Sequence, residues 1–154
     1  MTAAAVLEAA RIRHIMIATA ESCTGGLIAG ALTAIPGSSD VVDRGFITYS
    51  NAAKQEMLGI RPETLQIHGA VSEETAAEMA TGALACSNAG IAISVTGIAG
   101  PGSSGNKPEG RVCFGISGPL GVHTETVEFG PIGRNKVRQE TVTHALQLLL
   151  VALR

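Results

Sequence analysis

Aromatic residues are nearly missing from this sequence. Of its 154 residues, three are Phe, one is Tyr and none is Trp. Proteins that bind single-stranded nucleic acid stack the bases on aromatic side chains, and too few are present here to build such a platform. The formal net charge of −2 also argues against binding to a phosphate backbone. We therefore expect no nucleic-acid partner.

Cysteine and histidine are also scarce, and neither follows a metal-binding pattern. The three cysteines, Cys23, Cys86 and Cys113, are widely spaced and contain no CxxC pair. An odd number of isolated thiols favours neither a disulfide framework nor a zinc site, and it suits a reducing cytoplasm. The four histidines show no metal-ligand spacing. The sequence thus predicts no metal and no cofactor.

Long hydrophobic runs are absent as well. The most apolar segment, 146–153, is far shorter than the ~20 residues that a membrane span requires. The first residues soon carry Glu8, Arg11 and Arg13, which is unlike a secretory signal peptide. We therefore expect a soluble cytoplasmic protein with one domain over 1–154. Only 16% of residues are charged, which suggests an apolar surface and favours a homo-oligomer, with a dimer first.

Helical and strand patterns alternate along the chain. The spacing of apolar residues predicts helices at 3–13, 27–35, 51–58, 72–86 and 134–153, and strands at 14–20, 44–50, 90–96, 111–117 and 122–129. Ser50 or Asn51 is expected to cap the third helix, and Ser72 the fourth. The pattern predicts an α/β fold, a three-layer α/β/α sandwich with a mixed, mostly parallel central sheet that includes a C-terminal hairpin.

The first strand-to-helix turn carries three candidate nucleophiles in succession. Ser22, Cys23 and Thr24 are followed by Gly25 and Gly26. A turn at the carboxyl end of a strand in an α/β sheet is a common ligand site, and the next helix could offer N–H groups to an anion or oxyanion. The alternative is a helix cap followed by an ordinary glycine turn. If Ser22 faces a site, Cys23 is expected to point toward the core.

The second strand-to-helix junction brings Tyr49 and Lys54 together. Lys54 falls in the first turn of a helix, where a cation opposes the helix dipole. A lysine kept neutral by burial can act as the general base for a serine. The alternative is a solvated lysine beside a half-buried tyrosine.

A glycine-rich loop at 97–110 matches G-x-G-x-x-G at Gly100, Gly102 and Gly105. A dinucleotide-binding turn must lead into a helix, whereas this loop leads toward a predicted strand, so that function is not expected. The loop, with Lys107, is predicted either to close over a polar ligand or to be an ordinary surface loop.

Basic residues gather at the start of the last helix. Arg134 and Arg138 are spaced i, i+4, with Lys136 between them. Together with free helix N–H groups, they would form a cradle for a phosphate group. The alternative is a solvated basic helix end.

Four segments in this order carry a family resemblance: 20–26 (AESCTGG), 44–51 (RGFITYSN) with Lys54, 68–73 (HGAVSE) and 96–101 (TGIAGP). The chain resembles the C-terminal domain of the competence/damage-inducible protein CinA. That resemblance implies an α/β/α fold and metal-free hydrolysis of the carboxamide of nicotinamide mononucleotide (NMN). It also implies that Ser22 is the nucleophile, Lys54 its base and Tyr49 an assistant near the base.

The expected oxyanion and substrate-binding residues surround this set, namely Thr24, Gly25, Gly26, Thr96, Gly97, Gly100, Lys107, Arg134 and Arg138. Relatives usually carry an acidic residue before the arginine of the last helix, where this chain has Gly133. The N-terminal domain of longer CinA proteins is not in this sequence, so its pyrophosphatase activity is expected to be missing. Two other functions stay open: a non-catalytic nucleotide-binding or regulatory module linked to competence or DNA damage, and an amidase or esterase for another small substrate.

Overall fold

The computed structural model describes residues 2–154, which form six α-helices and five strands. In chain order these are α1 (Thr2–Arg13), β1 (Ile17–Glu21), α2 (Leu27–Thr33), β2 (Val42–Ile47), α3 (Asn51–Leu58), α4 (Pro62–His68), α5 (Glu73–Ala85), β3 (Ile91–Gly97), β4 (Arg111–Gly118), β5 (Gly121–Glu128) and α6 (Arg134–Leu153). A short 3₁₀ turn at Ser38–Asp40 leads into β2.

The five strands form one sheet in the order β2-β1-β3-β4-β5. The strand β1 is parallel to both β2 and β3, whereas β4 is antiparallel to β3 and to β5. The mixed sheet and its C-terminal hairpin are therefore confirmed. Parallel and antiparallel pairings are equal in number, so the sheet is not mostly parallel. The reason is that β4 lies beside β3 and is antiparallel to it, so that the hairpin adds two antiparallel pairings to the sheet.

Helices cover both faces of the sheet, as the three-layer prediction requires. Alternate residues of β1 point to opposite faces, so that Ile17 packs in the larger core and Ala18 in the smaller one. The larger core includes Leu7 of α1, Ile28 of α2 and Leu149 of α6. The smaller core contains side chains of α3, α5 and the loop between α3 and α4, namely Leu58, Ile60, Met79 and Ala83.

The main differences from the sequence prediction concern β1, β2 and α4. The strand β1 begins at Ile17 rather than at 14, because α1 continues to Arg13 and the next residue, His14, is left-handed (φ 53°). The N–H groups of His14 and Ile15 donate to carbonyls in the last turn of α1, which closes that helix. The strand β2 covers Val42–Ile47 rather than 44–50. The short helix α4 was not predicted, because seven residues that include Pro62 at its start give too little periodicity.

The helices α3 and α5 touch at Gly82. A Cβ atom at this position would lie 2.1 Å from the carbonyl oxygen of Leu58, the last residue of α3. Any side chain at Gly82 would therefore push α3 away from α5. Lys54 lies one turn before Leu58 in α3, so a displacement of this helix would also move the lysine.

An apolar hollow lies at the opposite end of β3 from its carboxyl terminus. It has a volume of about 250 Å³ and is lined by residues that include Ile91, Leu120, Leu148 and Val151. Leu120 is 75% exposed and Val151 is 70% exposed. We call this region the hairpin end of the sheet.

No helix within residues 2–154 combines the length and apolar character needed to cross a membrane.

Candidate active site

A cavity of about 340 Å³ opens at the carboxyl ends of the parallel strands β1, β2 and β3. This is the edge at which an α/β sheet places ligands. The lining residues come from the loops that follow these strands, from the segment before α5 and from the start of α6: Ser22, Cys23, Tyr49, Asn51, Lys54, Ala70, Val71, Thr96–Ser104 and Arg134.

Ser22 and Lys54 meet directly at this cavity. The Nζ of Lys54 lies 2.9 Å from the Oγ of Ser22, although the two residues are far apart in sequence. The pairing of β1 with β2 brings them together, since Ser22 follows β1 and Lys54 lies in the helix after β2. Lys54 is only 1% exposed, so the alternative of a solvated lysine is wrong.

Two backbone carbonyls complete the surroundings of the lysine. Nζ donates to the carbonyl oxygen of Thr48 at 2.9 Å and to that of Tyr49 at 3.3 Å. Burial lowers the pKa of Lys54, because the charged form loses its hydration. A neutral amine has two hydrogens, which the two carbonyls can accept, and one lone pair, which is then free to accept the hydroxyl hydrogen of Ser22.

Tyr49 contacts Lys54 through its backbone and not through its phenol ring. Its side chain is 62% exposed, and its hydroxyl accepts a hydrogen bond from Nη2 of Arg134 at 3.1 Å. Arg134 also donates to the carbonyl oxygen of Gly100 at 2.6 Å. The arginine thus bridges the loop after β2 and the loop after β3 at the rim of the cavity.

A buried glutamate occupies the start of α2, which sequence reasoning missed. The Glu21 side chain is 1% exposed and accepts hydrogen bonds from the Thr24 hydroxyl and from the N–H groups of Gly26, Ile28 and Ala29. This carboxylate satisfies the N–H groups that a helix start leaves unpaired and complements the helix dipole. The expected anion site at α2 is therefore already filled. The only available signal was an acid shortly before a glycine turn.

Cys23 belongs to the cavity lining, but its side chain is largely buried. It is 7% exposed and packs in the larger core. Burial raises the pKa of its thiol to about 11, so the thiol stays protonated near neutral pH. A protonated thiol is a poor nucleophile, so Ser22 stays the candidate nucleophile of this turn.

The other residues of the turn support its shape and do not line the cavity. Gly25 and Gly26 have positive φ angles of 59° and 111°, which glycine adopts without strain. The Gly25 N–H donates to the Ser22 carbonyl at 3.1 Å. Thr24 is fully buried and bonded to Glu21.

Arg138 also contacts this turn from outside the cavity. Its Nε donates to the carbonyl oxygen of Cys23 at 3.1 Å, and its Nη2 donates to that of Thr24 at 3.3 Å. It is absent from the cavity lining, whereas Arg134, one turn earlier in α6, belongs to it. Of the two arginines, Arg134 is therefore the one that a ligand in the cavity could contact.

The loop after β3 forms one wall of the cavity. Thr96 donates through Oγ1 to the Ala70 carbonyl at 2.8 Å, which joins the loop to the segment before α5. A Cβ atom at Gly97 would lie 2.6 Å from the Val112 side chain, so only glycine fits there. Gly100 contributes to the wall with a φ of 91°. As expected, the loop leads into a strand rather than a helix.

Lys107 fastens this loop to its neighbour and lies outside the cavity lining. Its Nζ donates to the carbonyl oxygens of His68 and Val71. Its amine therefore meets backbone carbonyls, as Lys54 does, but without a hydroxyl partner. Across residues 2–154, no cluster of three or more His, Cys, Asp or Glu side chains is arranged to hold a metal ion.

Comparison with known proteins places this arrangement in a family. The family model for the CinA C-terminal domain matches residues 1–153. A relative from Escherichia coli strain K12, named nicotinamide-nucleotide amidohydrolase PncC, is 47% identical over 92% of this chain and 87% of its own length. A protein of the same name from Enterobacter agglomerans is 52% identical over 87% of this chain and 82% of its own length.

Longer relatives and solved structures agree with this match. A CinA-like protein from Chlorobium phaeobacteroides is 52% identical over 91% of this chain, which spans only 34% of that protein. The chain thus spans about a third of the length of such relatives. The crystal structure of competence/damage inducible protein CihA from Agrobacterium tumefaciens is 51% identical, covers 99% of this chain and 93% of its own, and superposes with a TM-score of 0.94.

Proposed function

The chain belongs to the CinA C-terminal domain family, and from this premise we propose that it hydrolyses the carboxamide of NMN to nicotinate mononucleotide and ammonia. The proposal takes its substrate from the relatives named nicotinamide-nucleotide amidohydrolase, which match most of this chain. The observation that carries the chemistry is the 2.9 Å contact between Ser22 Oγ and Lys54 Nζ beside the cavity.

The reaction begins with Ser22 as nucleophile and neutral Lys54 as general base. The Ser22 oxygen attacks the carboxamide carbon while Nζ of Lys54 accepts the hydroxyl proton. Collapse of the tetrahedral intermediate breaks the C–N bond, and Lys54 returns the proton to the departing nitrogen, which leaves as ammonia. Water then attacks the acyl-enzyme ester by the same base catalysis and releases the carboxylate product and Ser22.

The oxyanion that develops on the carboxamide is stabilised by backbone N–H groups of the turn. The Gly25 N–H is engaged with the Ser22 carbonyl and the Gly26 N–H with Glu21, so neither is free. Of the remaining residues in the turn, Cys23 lines the cavity, whereas Thr24 is fully buried. The Cys23 N–H is therefore our candidate, and losing an oxyanion donor raises the barrier by about 3 kcal/mol.

The phosphate of the substrate is assigned to the rim of the cavity. Arg134 is exposed there and uses only two of its N–H groups, on the Tyr49 hydroxyl and the Gly100 carbonyl. A guanidinium has five N–H donors in a planar fork that suits a phosphate. Thr96, Gly97 and Gly100 shape the wall behind this position. No cofactor is needed for any step.

The test is release of ammonia and nicotinate mononucleotide from NMN by the purified protein, with and without EDTA. The Ser22→Ala variant is compared with Ser87→Ala, which removes a hydroxyl at the far end of α5. We expect turnover that survives EDTA, vanishes in Ser22→Ala and persists in Ser87→Ala. Thermal stabilisation by NMN without ammonia release would instead favour the non-catalytic binding module. Turnover of other small amides but not of NMN would favour a different amidase.

A further inference from the structure

We propose that Lys107 is a positioning residue that holds two walls of the cavity at the spacing that NMN binding requires. One wall is formed by Ala70 and Val71, just before α5, and we call it the α5 wall. The other is formed by Thr96–Ser104, after β3, and we call it the loop wall. The inference rests on the proposed function, since it concerns the same cavity and substrate.

The side chain of Lys107 binds the α5 wall. Its Nζ donates to the carbonyl oxygens of His68, the last residue of α4, and of Val71, which itself lines the cavity. A Cβ atom at Gly69 would lie 2.9 Å from Nζ, so the glycine leaves room for the amine. Both hydrogen bonds are charge-assisted, which makes them stronger than bonds between neutral groups.

The segment 68–71 depends on such contacts for its shape. Each of its four consecutive carbonyls accepts a hydrogen bond from a side chain. The Gly69 carbonyl accepts from hydroxyls at the start of α5, and the Ala70 carbonyl accepts from Thr96. The carbonyls at the two ends of the segment are those that Lys107 binds, so loss of its amine would leave both without this donor.

The backbone of Lys107 binds the loop wall. Its N–H donates to the Ser104 carbonyl at 3.0 Å, and the Ser104 N–H donates to the Lys107 carbonyl at 3.0 Å. Ser104 lines the cavity, as do Gly102 and Ser103 immediately before it. One residue is therefore bonded to the α5 wall through its side chain and to the loop wall through its main chain.

The loop wall needs this support because residues 101–106 are all exposed. Fixing an exposed segment in one conformation costs conformational entropy. Without the bonds from Lys107, NMN would have to order the wall as it binds, and that cost would appear mainly in KM. Ser22 and Lys54 lie outside both walls, so the reactivity of this pair should not depend on Lys107.

The test compares Lys107→Met with the matched control Arg13→Met. The control also removes a cation from a carbonyl at the end of a helix, that of Leu153 in α6, far from the cavity. We measure kcat and KM for NMN, thermal unfolding, hydrogen exchange of the backbone N–H groups at 101–107, and the rate at which a small fluorophosphonate labels Ser22. The exchange and labelling measurements need no NMN.

We expect KM of Lys107→Met to rise about 10-fold, with kcat within about threefold of the parent value. Hydrogen exchange at 101–107 should be faster than in the parent protein, because the loop wall is no longer held. Labelling of Ser22 should keep the parent rate. Arg13→Met should keep the parent values of KM, kcat, labelling and exchange at 101–107.

A chemical rescue tests whether the amine itself is required. Treatment of Lys107→Cys with 2-bromoethylamine gives a side chain of nearly the same length as lysine that ends in an amine. We expect this treatment to lower KM toward the parent value and to slow exchange at 101–107. The parent protein treated in the same way controls for modification of Cys86, which is exposed.

Four results would overturn the inference. Equal exchange at 101–107 in the parent and Lys107→Met would show that the lysine does not hold the loop wall. A fall in kcat at unchanged KM, or a matching fall in Ser22 labelling, would place its effect on the nucleophile. Equal rises of KM in Lys107→Met and Arg13→Met would reduce its role to general stability. Rescue that fails although the modification is complete would exclude the amine.

Failure of the proposed function is recognised separately. A parent protein that does not hydrolyse NMN would refute the proposed substrate. The exchange measurements on Lys107→Met and on the modified Lys107→Cys would still decide whether the amine holds the two walls.

Discussion

The two ends of the sheet differ in which side chains they bury: one buries charged residues and the other exposes apolar ones. At the carboxyl ends of β1 and β2, Glu21 and Lys54 are each 1% exposed. At the hairpin end, Leu120 and Val151 are 75% and 70% exposed beside an apolar hollow. Charged residues are rarely buried, whereas single exposed apolar residues are common. The first departure therefore requires an explanation and the second does not.

The buried charged residues differ in how their burial is balanced. Glu21 accepts four hydrogen bonds from α2 and the turn before it, so it supports the fold. Lys54 contacts two carbonyls and the Ser22 hydroxyl, and none of the ion pairs within residues 2–154 includes it. A buried amine without a counterion costs stability unless it is neutral. The comparison fits a structural role for Glu21 and the role proposed above for Lys54 as general base.

The largest effect is expected at Lys54, where a substitution should lower activity far more than it lowers stability. Lys54→Met should lower kcat/KM for NMN by about 10³-fold, because the general base is lost. The free energy of unfolding should change by less than about 1 kcal/mol, because two carbonyls lose a donor while an amine no longer has to be buried. Steady-state kinetics and urea unfolding measure the two effects. Gln55→Met, at an exposed neighbouring position, is the control and should keep its rate.

The next effect concerns stability at Glu21. Glu21→Gln places an amide NH₂ among N–H donors and should lower the free energy of unfolding by about 1–3 kcal/mol. Glu56→Gln, an exposed residue of α3, should change it by less than about 0.5 kcal/mol. Urea unfolding of the parent and both variants gives these values. Equal stabilities for the two variants would contradict a structural role for the buried carboxylate.

Loss of the Lys54 proton should change both the stability and the activity of the protein. Its pKa in the folded protein lies below the ordinary value of 10.5, so the unfolded chain binds more protons between these two pKa values. Stability should therefore rise with pH across that window, and kcat/KM should rise as Lys54 loses its proton. Unfolding and NMN hydrolysis at a series of pH values measure both. In Lys54→Met this rise in stability should disappear.

The smallest effects belong to the hairpin end. Leu120→Asn and Val151→Gln should each change the free energy of unfolding by less than about 0.5 kcal/mol, because both side chains are largely exposed. The kcat for NMN should stay at the parent value, since neither residue lies near the cavity at the carboxyl ends of the strands. A loss of activity in either variant would show that the two ends are coupled.

The sequence predicted those elements best whose signals are local. The bounds of α3 and α6 agree with prediction, and Ser50 caps α3 by accepting from the Ala53 N–H. The later start of β1 and the helix α4 were missed, because a left-handed His14 and a seven-residue helix leave little trace in periodicity.

The candidate site was predictable in its residue types but not in its contacts. Ser22, Tyr49 and Lys54 were assigned roles through the family resemblance, and those roles stay predictions. Their geometry depends on the neighbouring positions of β1 and β2, which no local pattern encodes. The same holds for Glu21 and Arg138, since their partners are backbone groups that approach only when α2 and α6 pack.

Because α3 and α5 are in contact, mutations at positions outside the cavity lining could also disturb the candidate site. At Gly82 even an added methyl group would meet the Leu58 carbonyl, and the displacement would reach Lys54 one helical turn away. A glycine on the side of α5 that faces α3 thus constrains the position of the Lys54 amine relative to Ser22. Sequence variation at position 82 would be selected against through loss of catalysis as well as loss of packing.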